Sequence, residues 1–249
     1  MKKLNYINKL LVFITLFGCS NGFAQNKDEL FQTVHQAFYG KWHQTITFDQ
    51  ETKFYRNDSL QSTQTWREAG KFPDLFRIQF GPAALGNTVI FRGDSAYRFR
   101  QGKLLNAKID PNFLIYLLGG IYYDQLAVAK ARLTKAGFDV TQQDRATWKN
   151  KEIIVIGAKS GDTTSNQLWY DAKKRYLVRM IQTNKGTKLD VQFEGHQLVG
   201  KVWNETVVKV FANHQLIQTE VYSNFKSNVP VSDAVFDPRN PIAIPADER

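Results

Sequence analysis

The sequence predicts a mainly β fold of the α+β class, with about eleven strands against three helical segments. Two observations lead there. Apolar and polar residues alternate with period two in segment after segment. Glycine and asparagine turns separate those segments at the spacing of an antiparallel sheet. Only three stretches carry helical patterning, so helices are scarce.

The chain opens MKKLNYINKLLVFITLFGCSNGFAQ. Lys2, Lys3 and Lys9 precede an apolar run from Leu10 to Phe17, and Gly22-Phe23-Ala24 is a small-residue cleavage pattern. This predicts a secretory signal over residues 1–24 and a single exported domain over 25–249. The apolar run is too short to cross a bilayer, which needs about 20 residues. A second reading competes: Leu16-Phe17-Gly18-Cys19 is similar to a lipobox, in which Cys19 carries lipid after cleavage. Cys19 is the only cysteine, so the fold has no intramolecular disulfide and rests on apolar burial. The formal net charge is +10. The lysines are dispersed without a run, which argues for a solvated basic surface or attraction to anionic headgroups, and against nucleic acid as partner.

Asn26 to Tyr39 places Leu30, Phe31, Val34, Ala37 and Phe38 on one helical stripe closed by Gly40. Trp42, Ile46, Phe48 and Phe54 then lie on one side of an alternating stretch, and Asn57-Asp58-Ser59 turns it into SLQSTQTW. In KFPDLFRIQF (71–80), Phe76, Ile78 and Phe80 share a face from Asp74 onward, opposed by Leu75, Arg77 and Gln79. After the GPAALGN loop come strands turned at Gly93-Asp94 and Gln101-Gly102; Tyr97 and Phe99 are expected on an oily face, Arg98 and Arg100 opposite.

Residues 110–125 open on Asp110-Pro111, a helix start, and are apolar nearly all round, with Gly119-Gly120 interrupting. A further helix spans 124–137 up to Gly137. Beyond it EIIVIGA, NQLWYDA, RYLVRMIQT, KLDVQFEG, KVWNETVVKVF and QLIQTEVYSNF all read as strands, and the proline-rich tail NVPVSDAVFDPRNPIAIPADER as an irregular strap. Each strand thus has one oily face that must be covered. Two sheets can cover each other, one sheet can close into a barrel, or a curved open sheet can carry the middle helix across its mouth. Periodicity leaves these three open, and also leaves open whether the interior is filled or hollow.

The order of elements and several local phrases resemble the periplasmic lipoprotein carriers, the LolA-like family, and the wider superfamily of lipid-binding half-barrels. The matching residues are Lys71-Pro73-Phe76-Ile78-Phe80, then Gly93-Asp94, then Tyr97-Phe99, and at the end Asn224-Phe225, Val229-Pro230 and Phe236. The resemblance implies one curved antiparallel sheet, an incomplete barrel, with helices plugging its concave apolar side, where acyl chains are received. It implies a monomeric carrier in the periplasm that takes lipoprotein acyl chains or other lipids from an inner-membrane donor and hands them to an outer-membrane acceptor. Where the carriers have a basic residue before the proline, this chain has Phe72. On this reading Trp66, Phe76, Ile78 and Phe80 line the cavity on the sheet, Leu114, Leu117 and Leu118 line it from the middle helix, and Gly119 and Gly120 form the hinge of that lid.

No catalytic constellation stands out, and neither cofactor nor metal is expected. Gly195 to Val202 approaches a P-loop but lacks its Ser/Thr and joins two strands. Gly93-Asp94-Ser95 is explained by a hairpin turn. His35, His43, His196 and His214 are scattered. Asp190 and Glu194 share a face expected to be solvated. The expected function is therefore binding rather than enzymatic, with a membrane-anchored structural or envelope-sensing module on the same fold as the alternative.

Overall fold

A computed structural model describes residues 29–242. The expected signal, Cys19 and residues 243–249 lie outside the described residues. The chain runs α1 (Glu29–Phe38), β1 (Thr45–Arg56), β2 (Ser59–Lys71), β3 (Leu75–Phe80), β4 (Thr88–Arg92), β5 (Ser95–Arg100), β6 (Lys103–Ile109), α2 (Phe113–Leu117) and α3 (Leu126–Lys135). There follow β7 (Gln143–Trp148), β8 (Lys151–Ile156), β9 (Gln167–Asp171), β10 (Leu177–Asn184), β11 (Thr187–Glu194), β12 (Gln197–Val199), β13 (Val202–Asn204), β14 (Val207–Ala212) and β15 (Gln215–Ser227).

Thirteen strands form one antiparallel sheet in the order β6-β5-β4-β3-β2-β1-β15-β14-β11-β10-β9-β8-β7, and β12-β13 is a separate hairpin. The sheet is curved and not closed, which selects the third of the architectures left open by the sequence. Its middle is built from the longest strands, β1, β2 and β15, of 12, 13 and 13 residues. Residues 110–142 carry the chain from one edge, β6, to the opposite edge, β7, and pack on the same face of the sheet as α1. There Phe31, Val34, Leu117, Ile121, Ala129, Leu133 and Phe138 meet Ile154, Leu168, Met180 and Phe193 in the largest apolar cluster.

The strand total exceeds expectation for local reasons. β7 was not anticipated because QDRATW has no apolar alternation; it is an edge strand whose outward residues are polar. KVWNETVVKVF divides into β13 and β14, with Glu205 and Thr206 at the break. The near-P-loop is the β12-β13 hairpin. The middle helix is shorter than expected and starts later: Asn112, not Asp110-Pro111, caps it, its Oδ1 accepting from the amides of Leu114 and Ile115 at 3.1 and 3.3 Å. After the single turn of α2 the chain passes through Gly119 into a 3₁₀ turn at Gly120–Tyr122.

The opposite face of β3 is not solvated, against expectation. Arg77 is 1% exposed and Gln79 is buried, both beneath the C-terminal strap. Arg77 donates to the carbonyls of Val235 (3.2 Å) and Pro241 (2.6 Å) and to Gln79 Oε1 (2.8 Å). Register also corrects β5. Tyr97 pairs with Ile90, and Ile90 with Arg77, so Tyr97 and Phe99 lie under the strap with Val231, Val235 and Phe236. The inward residues of β5 are Ala96, beside Phe91 and Phe76, and Arg98, in the row of Val89 and Ile78.

The buried guanidinium of Arg77 thus pins the strap, alongside Arg92 donating to the Phe236 carbonyl and Thr45 to that of Val229. Arg77→Ala leaves carbonyl acceptors buried without a donor, at about 1–3 kcal/mol for each unsatisfied group. It is expected to lower stability in urea unfolding by about 3 kcal/mol and to expose residues 229–242 to limited proteolysis.

Candidate functional site

On the inner face, where β1, β2, β3 and β15 meet α2, lies a cavity of about 250 Å³. Strand register builds its floor. Phe48 of β1 pairs with Glu68 of β2, and Glu68 with Ile78 of β3; beside this row Ile46 is followed by Gly70 and Phe76. Gly70 is required by close approach: a Cβ there would sit 3.0 Å from Ile46 and from the Phe76 ring. On β15, Gln218, Glu220 and Tyr222 alternate inward, and Phe225 joins them because Asn224, at φ +52°, lies where the β1-β15 register shifts. Phe225 stacks on Phe48 at 5.3 Å and 4° between planes.

From above, Leu114, Ile115 and Leu118 line the cavity, with Phe72 at its side. α2 divides its apolar residues: Phe113 stacks on Phe138 at 5.6 Å, and Leu117, 1% exposed, is sealed in the large cluster. The helix is tied outward by Tyr116 Oη donating to Asp124 Oδ2 (2.9 Å), which also pairs with Arg132 (3.2 Å).

Of the residues singled out in the sequence, Trp66, Phe76, Ile78, Leu114 and Leu118 come together around the cavity. Leu117 does not: helical geometry turns it to the core side of α2. Phe80 is on the inner face but beyond the cavity, edge-on to Trp66 at 4.8 Å. The two glycines have a packing reason. A Cβ on Gly119 would lie 2.1 Å from the Phe72 ring, and one on Gly120 would lie 3.1 Å from both the Pro73 carbonyl and the Tyr116 ring. The bend after α2 therefore packs directly on residues 72 and 73.

The cavity also holds what the sequence reading missed. Glu68, Glu205 and Glu220 line it, with Gln50, Gln218, Asn112 and Asn204. Glu68 is only 7% exposed. Burial, reinforced by Glu220 and Glu205, holds its carboxyl well above the usual range. Burial likewise pushes Glu205 up to about 7 and raises Glu220. Glu220 accepts hydrogen bonds from Gln218 Nε2 and Tyr222 Oη. Behind Asn204 lies His43, whose Nε2 accepts from Asn204 Nδ2 at 3.0 Å; burial lowers its pKa, favouring the neutral ring. Parity contained the signal for Glu68, since an inward Trp66 implies an inward Glu68 two residues on. Glu205 had none, because it sits where alternation breaks. Among the described residues no three His, Cys, Asp or Glu side chains converge as metal ligands, and no helix is long and apolar enough to cross a membrane.

No protein-family model matches this chain, and no curated protein matches it in sequence. Solved structures do match in shape. A DUF1329 family protein from Desulfovibrio piger superposes with a TM-score of 0.59 at 16% identity, covering 85% of this chain and 95% of that one. A domain assigned to outer-membrane lipoprotein sorting, from Vibrio parahaemolyticus, gives 0.60 at 11% identity, covering 87% and 98%. A LolA superfamily protein from Nitrosomonas europaea gives 0.57 at 10% identity, covering 83% and 96%. The fold is LolA-like. At these identities the likeness concerns architecture, and the LolA-like sheet here carries its own, acid-containing, interior.

The raised carboxyls make stability depend on pH. For a carboxyl whose pKa rises on folding, the stabilising contribution is fully present below the unfolded value and lost as pH climbs through the folded one. For Glu205 that window runs from the ordinary 4.5 to about 7. Glu205→Gln is therefore expected to raise the unfolding free energy at pH 8 by up to about 3 kcal/mol, with little change at pH 4, when unfolding is followed in urea at both pH values.

Proposed function

We propose that this protein is a carrier of the lipoprotein-sorting type, binding acyl chains in the cavity beneath α2 and handing them over between membranes. The observation that carries the reading is the cavity itself. Aliphatic and aromatic side chains from six strands and one short helix surround space that the chain's own side chains leave unfilled. Burying each methylene of a ligand there is worth about 0.8 kcal/mol. The LolA-like fold, shared with a lipoprotein-sorting domain and a LolA superfamily protein, supports it.

At about 250 Å³ the cavity lies just below the usual range of ligand pockets, about 300–1,000 Å³. It suits one short chain or the end of a longer one. A multiply acylated anchor requires α2 to move outward, with Leu117 leaving the core, so loading and opening are one event. In this reading Leu114, Leu118, Trp66, Phe76 and Ile78 contact the chain, the bend at Gly119 and Gly120 moves with α2, and no bond is made or broken. The expected leader over 1–24 and the LolA-like fold support an exported, periplasmic location.

Leu16-Phe17-Gly18-Cys19 favours a second reading, a lipid-anchored protein using the same fold as a structural or sensing module. Mass spectrometry of the mature N-terminus separates the two: a diacylated Cys19 supports the anchor, a free Gln25 the mobile carrier.

The purified protein is expected to yield co-purifying lipid or to take up a fluorescent fatty acid; finding neither sinks the carrier reading. Leu118→Asn is expected to weaken uptake about tenfold, since burying a leucine is worth about 1.5–3 kcal/mol. Leu118 is half-buried, so thermal stability should move by only a few degrees.

A further inference from the structure

We propose that the cavity selects amphiphiles carrying a cationic amine, with the hydrocarbon under α2 and the ammonium group against Glu68, Glu205 and Glu220. This rests on the carrier reading above and specifies the ligand class for the same site. Three acids and no Lys, Arg or His line the cavity, in a chain whose formal net charge is +10. Chance placement in so basic a protein would favour the opposite sign.

The acids are not structural pairs. Other carboxylates in this protein find cations: Asp49 with Arg67, Asp190 with Arg179, Glu194 with Lys149 and Lys209. Glu68 is more than nine-tenths buried, faces the cavity, and takes part in no hydrogen bond among the described residues. Its register neighbours are Phe48 and Ile78, which offer it no donor. A carboxyl set in so apolar a row carries a desolvation cost that a bound cationic donor offsets.

An alkylammonium group fits that vacancy in chemistry. It brings three N–H donors and a positive charge on the end of an apolar stem. The bound cation pairs with an ionised carboxyl, and where that carboxyl was protonated its proton leaves to solvent. A carboxylate or phosphate headgroup meets repulsion in the same place. The groups facing the cluster are known: Gln50 from β1, Tyr222 and Gln218 from β15, Asn112 from the start of α2, and Asn204 backed by neutral His43. None competes as a cation.

The test is calorimetric titration of the purified protein at pH 7.5 with three ligands sharing one chain: decylamine, decanol and decanoate. Decylamine is expected to bind about tenfold or more tighter than decanol, and decanoate more weakly than either. The ratio of amine to alcohol affinity should fall toward one at pH 4, when all three acids are protonated, and in Glu68→Gln and Glu205→Gln at pH 7.5. Equal affinities in the unaltered protein overturn the amine assignment and leave the carrier reading intact. An amine preference that survives both substitutions places the cation elsewhere and also overturns it. Failure of all three ligands to bind removes the carrier reading itself.

Discussion

The structure depends on one topological constraint: the chain leaves its sheet at one edge strand and must re-enter at the other. Residues 110–142 make that crossing over the inner face, and they have few turns of helix with which to cover thirteen strands. With α1 and α3 they seal the half around β8 to β11, where the buried cluster is continuous. The half around β1 to β3 receives the flank of α2, Phe72 and the rings of Trp42 and Tyr123. An apolar face half-covered by a single helical turn leaves a hollow, and the position of that hollow follows from the connectivity. The outer face near β3 and β4 meets the same demand by another route, through the strap anchored on Arg77.

Much of this was legible because alternation is a local property. Inward Ile46, Phe48, Phe76 and Ile78 could be read from period two alone. What period two cannot report is whether the other side of a strand meets water or more chain. Arg77 and Gln79 look solvated in any window of the sequence; they are buried because a segment more than 150 residues later lies over them. Tyr97 and Phe99 do lie on an oily face, but only cross-strand register shows that it is the strap side of the sheet. Helix ends were misplaced where a side chain outcompeted a pattern: Asn112 caps α2 in preference to the upstream Asp-Pro pair. Close packing adds a demand no sequence window reports: the Phe72 ring lies 2.1 Å from where a Cβ on Gly119 would sit.

The acids missed in the sequence and the apolar lining found in it are parts of one site with opposed requirements. Hydrophobic walls lower the local dielectric, and that is what lifts Glu68, Glu205 and Glu220 above the carboxylate range. A leucine at any of these positions would fill space and remove the desolvation penalty, as exchange of buried charges for apolar residues commonly does. The fold therefore carries an instability that its own packing does not need. Such strain is sustained where something outside the chain relieves it. In an interior partly covered by α2, relief and occupancy coincide: the ligand that satisfies the acids also fills the hollow.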